Sequence, residues 1–268
     1  MIEQIAPVFI FVLLGYLFKH FKHDISEALT EFVIYFSLPA LALSKIRSLE
    51  FNDEIFYVIF IGYCAMGIAS ILAYLAGRYL KLSKKDLATL IVVSVFGNTA
   101  FVGFSYIESL YSIEHVVYAL VYDQIASFIA LLTFGVAIIA WGGGKDRSVK
   151  EIAKQMLLSP PLIAIGAAMV LHGTAFPPFI EIILDKLQAT LIPLVTIIVG
   201  MKLELKALRS YFRENMVALS IKMLITPFII LVGLYLFADM SQDYIKVTFL
   251  ETAMPPMTMA VVLAIRGG

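Results

Sequence analysis

The sequence predicts an all-α polytopic membrane protein built from two inverted five-helix repeats, and three observations carry that prediction. Of 268 residues, 61% are hydrophobic and 15% charged, with a mean hydropathy of +0.93. No water-soluble globule accommodates such a composition. Apolar stretches of about 20 residues, long enough to cross a bilayer, follow one another with short connections. Interruptions of those stretches recur at one spacing in two halves of the chain, as in transporters made of inverted repeats.

The predicted helices run near 4–19, 30–45, 55–80, 86–107, 116–140, 152–172, 179–201, 215–237 and 245–265. Helix 1, in MIEQIAPVFIFVLLGYLF, has no basic leader and no small-residue cleavage site, so it reads as a spanning helix and not as a signal peptide. Helix 2 is short and carries Pro39 in FSLPALAL. Helix 3 holds Cys64, the single cysteine, which permits no intrachain disulfide. Helix 4 is interrupted by Gly97, Asn98 and Thr99, three poor helix formers in an apolar run.

Helix 5 carries Asp123 about 7 residues from its start, where an acid costs several kcal/mol unless it is paired, protonated or near water. Helix 6 ends at His172 beside Gly173, where a cation suits the helix C-terminus. Helix 7 is broken by Pro193 in TLIPLVTI. Helix 8 holds Lys222, expected to extend its ammonium toward the cytoplasmic interface. Helix 9 is interrupted at Met254, Pro255 and Pro256, with Glu251 just before the break.

Pro39 and Pro193 are 154 residues apart, and the breaks in helices 4 and 9 are about 157 apart. This spacing spans five helices, an odd number, so the second half enters the membrane upside down relative to the first. The expected organisation is a first repeat at 1–140, a cytoplasmic linker at 141–151 and a second repeat at 152–268. Helix 5 then calls for a partner near 270–295, so a tenth helix is expected to be missing from the chain.

Orientation follows from the basic residues, which are retained on the cytoplasmic side. Connections after helices 1, 3, 5 and 7 hold fourteen Lys and Arg, the opposite ones four. The N-terminus is therefore expected outside, and Trp141 at the cytoplasmic interface. Lys plus Arg equal Asp plus Glu, 20 each, so net charge offers no reason to expect a nucleic-acid partner.

In helix order and in GNT at 97–99, LETAMPP at 250–256, SLPAL in helix 2 and YDQ at 122–124, the chain resembles the auxin efflux carrier family of secondary transporters and their prokaryotic members. Ala100 and Ser105 stand where relatives carry Gly and Pro, and Ala126 and Ser127 where an Asn is common. The resemblance implies a fold like that of bile-acid symporters and sodium/proton antiporters. Helices 1, 2, 6 and 7 would form a scaffold, and 3 to 5 with 8 to 10 a moving transport domain. It also implies a carboxylate such as malate, malonate or an auxin-like acid as substrate and a homodimer through scaffold helices 2 and 7. Plant relatives work as uniporters without a driving ion, whereas Asp123 argues for a sodium ion or proton as coupling ion, by symport.

Non-helical backbone at membrane depth survives only where protein or a wet cavity satisfies it. Asn98 lies about 12 residues past Asp86, roughly 18 Å along a helix, so the break falls near the midplane, as does Pro255. The expected function is secondary active transport of a small organic anion across the plasma membrane by alternating access. Gly97, Asn98, Thr99, Met254, Pro255 and Pro256 would bind the substrate, and free N–H groups at the breaks would face it. Asp123 and Glu251 would serve ion coupling, with sodium near Asp123, while Pro39 and Pro193 shape the scaffold. No other cofactor or structural metal is expected, nor an enzymatic activity.

Duller readings stand beside these. GNT could be a packing patch between helices, Pro255 and Pro256 a plain kink, and Glu251 a buried structural partner. A channel would need a continuous polar pore, and a membrane receptor or sensor is the remaining alternative. Intramembrane proteolysis is disfavoured: Tyr122–Asp123 lacks a Gly-x-Gly-Asp in helix 6, and Ser105 is followed by the bulky Tyr106.

Overall fold

The computed structural model describes residues 2–48, 52–143, 158–203 and 212–257. Within them, helices follow one another in the expected order: α1 (Ile2–Phe21), α2 (Ser26–Lys45), α3 (Asp53–Tyr79), α4a (Lys84–Val95), α4b (99–110), α5 (Val116–Trp141), α6 (Pro160–Val170), α7 (Pro178–Lys202), α8 (Phe212–Phe237) and α9 (Asp243–Thr252). Five of these, α2, α3, α5, α7 and α8, are long and apolar enough to cross a membrane. The linker from residue 144 onward, the start of helix 6 and the second half of helix 9 beyond Met257 lie outside the described residues.

Local chemistry sets the ends. Ser83 caps α4a by accepting the Asp86 N–H at 3.1 Å. Prolines occupy the first turns of α6 and α7, where a missing N–H costs nothing. After α6 the chain turns at Gly173 with φ +72°, a conformation that favours glycine, and the Gly173 N–H donates to the Arg47 carbonyl.

The expected breaks at Pro39 and Pro193 lie one turn earlier than the prolines themselves. α2 contains a π-helical turn at Val33–Ser37, and α7 a turn at Thr190. A proline offers no N–H to the carbonyl four residues back and clashes with it, so the distortion falls before the ring. Ser37 and Thr190, 153 residues apart, meet there through their hydroxyls at 2.8 Å.

The described residues form two compact units. The first comprises 1–52, 100–120 and 155–204, and its tightest contact joins α1 to α7. A Cβ on Gly15 would fall on the carbonyl oxygen of Ile197, and one on Gly200 on that of Val12. Small residues let helix backbones approach to this range. α4b packs on both helices, with Ser105 and Thr196 hydroxyls 2.8 Å apart. Arg47 donates to the Thr174 carbonyl and to Glu181 at 2.5 Å, and stacks over Phe176.

The second unit comprises 53–99, 121–154 and 205–268. α3 runs along α4a, α5, α8 and α9: Gly62 meets Tyr122 and Ala126, while Ile61 and Ala65 pack with Ile230, Leu234 and Ile245. Lys84 lies over the Trp141 ring at 5.1 Å. The described parts of helices 1, 2, 6 and 7 thus share one unit. Residues 100–120 differ from expectation: they belong with that unit because α4b packs on α1 and α7.

Candidate functional site

The site begins with two interrupted helices. α4a stops at Val95 and helix 4 resumes at Thr99; α9 stops at Thr252, and the chain continues extended through Met254–Met257. The two interruptions pair with each other. Gly97 and Pro256 form an antiparallel bridge, the Asn98 N–H donates to the Pro255 carbonyl at 2.6 Å, and the Met257 N–H donates to the Phe96 carbonyl at 2.9 Å. Pro256 sits between these bonds, at a position whose partner asks it for no N–H.

This pairing changes one expectation. The Asn98 and Met257 N–H groups do not face outward for a ligand; each satisfies a carbonyl of the opposite break, as backbone buried at membrane depth requires. What remains for a ligand is the partly exposed edge of the pairing: Asn98, Pro255 and Pro256 are half-buried, whereas Gly97, Thr99 and Met254 are buried.

Behind that edge lies a group of buried polar side chains. α5 carries Asp123, 4% exposed, in a π-helical turn at Tyr122–Ser127. The Thr99 hydroxyl donates to Asp123 Oδ1, and Gln124 Nε2 donates to Oδ2 at 2.6 Å. Thr99 therefore ties the break in helix 4 to the acid of helix 5. Glu251, in the last turn of α9, is 0% exposed, and neither of its oxygens has a hydrogen-bond partner among the described residues. Among the described residues, Asp123 and Lys222 are the charged groups that act on it.

Lys222 corrects the sequence reading. It does not extend to the interface: it is 3% exposed, and its Nζ donates to the Thr252 carbonyl at 3.2 Å. Pro227 cannot bond to the carbonyl of Met223, and α8 relaxes into a π-helical turn at Ile221–Ile225, which holds Lys222. From Glu214, the last charged residue before it on the helix, it lies 8 residues in, about 12 Å along the axis. Its ammonium caps the C-terminal end of α9, where a cation is favoured.

The sequence model of the family described as membrane transport protein matches residues 1–268. The chain belongs to this family. It is the family of the auxin efflux carriers, to which GNT and LETAMPP pointed. The chain is similar to a protein of Methanocaldococcus jannaschii named uncharacterized transporter, with 30% identity over 238 residues covering 84% of this chain and 76% of the relative. A second protein of that name, from Methanothermobacter thermautotrophicus, is 25% identical over 269 residues, covering 98% and 87%.

For a membrane transport protein, the arrangement separates two chemistries. The half-buried edge offers an amide side chain and proline faces; the interior offers two carboxyls, an ammonium and a hydroxyl. Asn98 can donate and accept, so it can serve a ligand as well as its present partners.

Proposed function

We propose that this membrane transport protein is a secondary active transporter that carries a small organic anion, a carboxylate of the malate type, across the cell membrane by alternating access. The ligand binds at Asn98, Pro255 and Pro256, with Gly97 and Met254 forming the backbone beneath. The observation that carries this reading is the pairing of the two breaks, Gly97 with Pro256 and Asn98 with Pro255, with its edge left half-buried. A mere packing patch gives no reason for two helices to stop at the same place.

The preference for an anion rests on charge. Lys222 lies directly beneath Gly97, and helix 4 resumes at Thr99, so its second half turns its positive end toward the break. Asp123 and Glu251, with Thr99 as a fixed donor, form the coupling group for a proton or sodium ion moving in symport. The excess of basic residues in alternate connections puts the N-terminus outside.

The experiment is uptake into proteoliposomes from a panel of radiolabelled mono- and dicarboxylates, with and without imposed proton and sodium gradients. Gradient-stimulated uptake of at least one carboxylate is expected. Uptake of none, or a current without saturation as in a channel, would contradict the reading.

A further inference from the structure

The two carboxyls beside the crossing are held in opposite ways. Both oxygens of Asp123 accept hydrogen bonds, from Thr99 and from Gln124, which is what an acceptor-only carboxylate requires. Glu251 accepts none, although it is fully buried. Nothing among the described residues holds Glu251 as an anion, and a buried anion without donors is strongly disfavoured.

Lys222 fixes the charge balance. Its ammonium is anchored on the Thr252 carbonyl and seated where Gly97 lacks a Cβ. Among the described residues two carboxyls and one ammonium meet here, and Glu251, the carboxyl that accepts no hydrogen bond, is the one left to be neutral. Among the described residues, charged and titratable groups reach Glu251 from two neighbouring helices: Asp123 and the phenol of Tyr122 from α5, and Lys222 from α8.

We propose that Glu251, and not Asp123, takes up and releases the coupling proton, one per cycle, while Asp123 and Lys222 are fixed opposite charges that do not exchange. A proton from one aqueous side forms an O–H bond at a Glu251 carboxylate oxygen and is released from that oxygen to the other side; no other bond changes. The coupling role rests on the transport reading above, whereas the place of the proton does not. Lys222 also disfavours a metal cation at this point, since a second fixed positive charge would stand beside the ammonium.

Infrared difference spectroscopy on the protein in liposomes reads the protonated acid directly, with no substrate present. At neutral pH the wild-type protein should show the carbonyl stretch of a protonated carboxylic acid, shifted in D2O. Glu251→Gln should lose this band, Glu251→Asp should move it, and Asp123→Asn should keep it. Lys222→Gln should keep it, because Glu251 then lacks the ammonium that favours its anion. Glu251→Asp guards against misfolding of the Gln variant, since it retains a titratable acid.

A band lost in Asp123→Asn and kept in Glu251→Gln would overturn the assignment. So would its loss from the wild-type protein when sodium replaces choline at constant pH, which would give the place to a metal cation. The two readings fail separately: a band as described without any carboxylate transport overturns the transport reading, while transport without the band overturns only the assignment of the proton to Glu251.

Discussion

The ammonium of Lys222 lies against the Cα of Gly97, so that a Cβ on the glycine would stand 2.9 Å from Lys222 Cε, 3.1 Å from Nζ and 3.3 Å from the Met254 carbonyl oxygen. Gly97 is therefore required by its neighbour in space as much as by the break in its own helix. Gly97→Ala should destabilise the protein by about 1–3 kcal/mol, the usual range for overpacking. Because the lysine is the nearest obstacle, the same change should cost less in a Lys222→Ala background. Thermal unfolding of the four proteins in detergent measures the difference, and equal costs in both backgrounds would show that Lys222 is not the obstacle.

The contact of α1 with α7 makes a second prediction. Gly15→Ala and Gly200→Ala each place a methyl on a backbone carbonyl, of Ile197 and Val12, which cannot turn aside as a side chain can. Each should destabilise by about 1–3 kcal/mol or more. Gly166→Ala, with nothing within 4 Å of its Cβ, should stay within about 0.5 kcal/mol of wild type. Unfolding temperatures that do not separate the two groups would contradict the packing.

Two hydroxyl pairs in the same unit, Ser37 with Thr190 and Ser105 with Thr196, join elements far apart in sequence. Interhelical hydrogen bonds in membrane proteins are worth about 0.6 kcal/mol on average in double-mutant cycles. The cycle of Ser105→Ala and Thr196→Val should return a coupling of that order. A coupling near zero would mean that the pair only fills space.

Topology can be read by labelling. In a Cys64→Ser background, a cysteine at His23, between α1 and α2, should be shielded from impermeant thiol reagents in intact cells. One at Ser241, between α8 and α9, should react. The reverse pattern would invert the orientation.

The helices were legible in the sequence because length and hydropathy determine a span, and α3, α5, α7 and α8 lie within a few residues of their expected ends. The breaks were legible because Gly-Asn-Thr and Pro-Pro disrupt helical hydrogen bonding wherever they stand. Three features were not. Thr99 and Asp123 are 24 residues apart, and neither residue signals its partner. Lys222 read as a lysine within reach of the interface, since the π-helical turn that holds it depends on Pro227 and its inward direction on the space left by Gly97. The direct pairing of Asn98 with Pro255 needed the three-dimensional crossing; two breaks at matching positions indicate a shared site without showing that their backbones bond to one another.

The central claim is that the paired breaks hold the ligand, and the most direct measurement compares carboxylate uptake by proteoliposomes carrying wild-type protein or Asn98→Ala. The backbone bond from residue 98 to Pro255 survives this change, since it uses the main-chain N–H, so the variant should remain folded and inserted. The account predicts that the wild-type protein takes up a carboxylate and that Asn98→Ala, matched for amount and unfolding temperature, loses uptake. Equal uptake by the two proteins would contradict it.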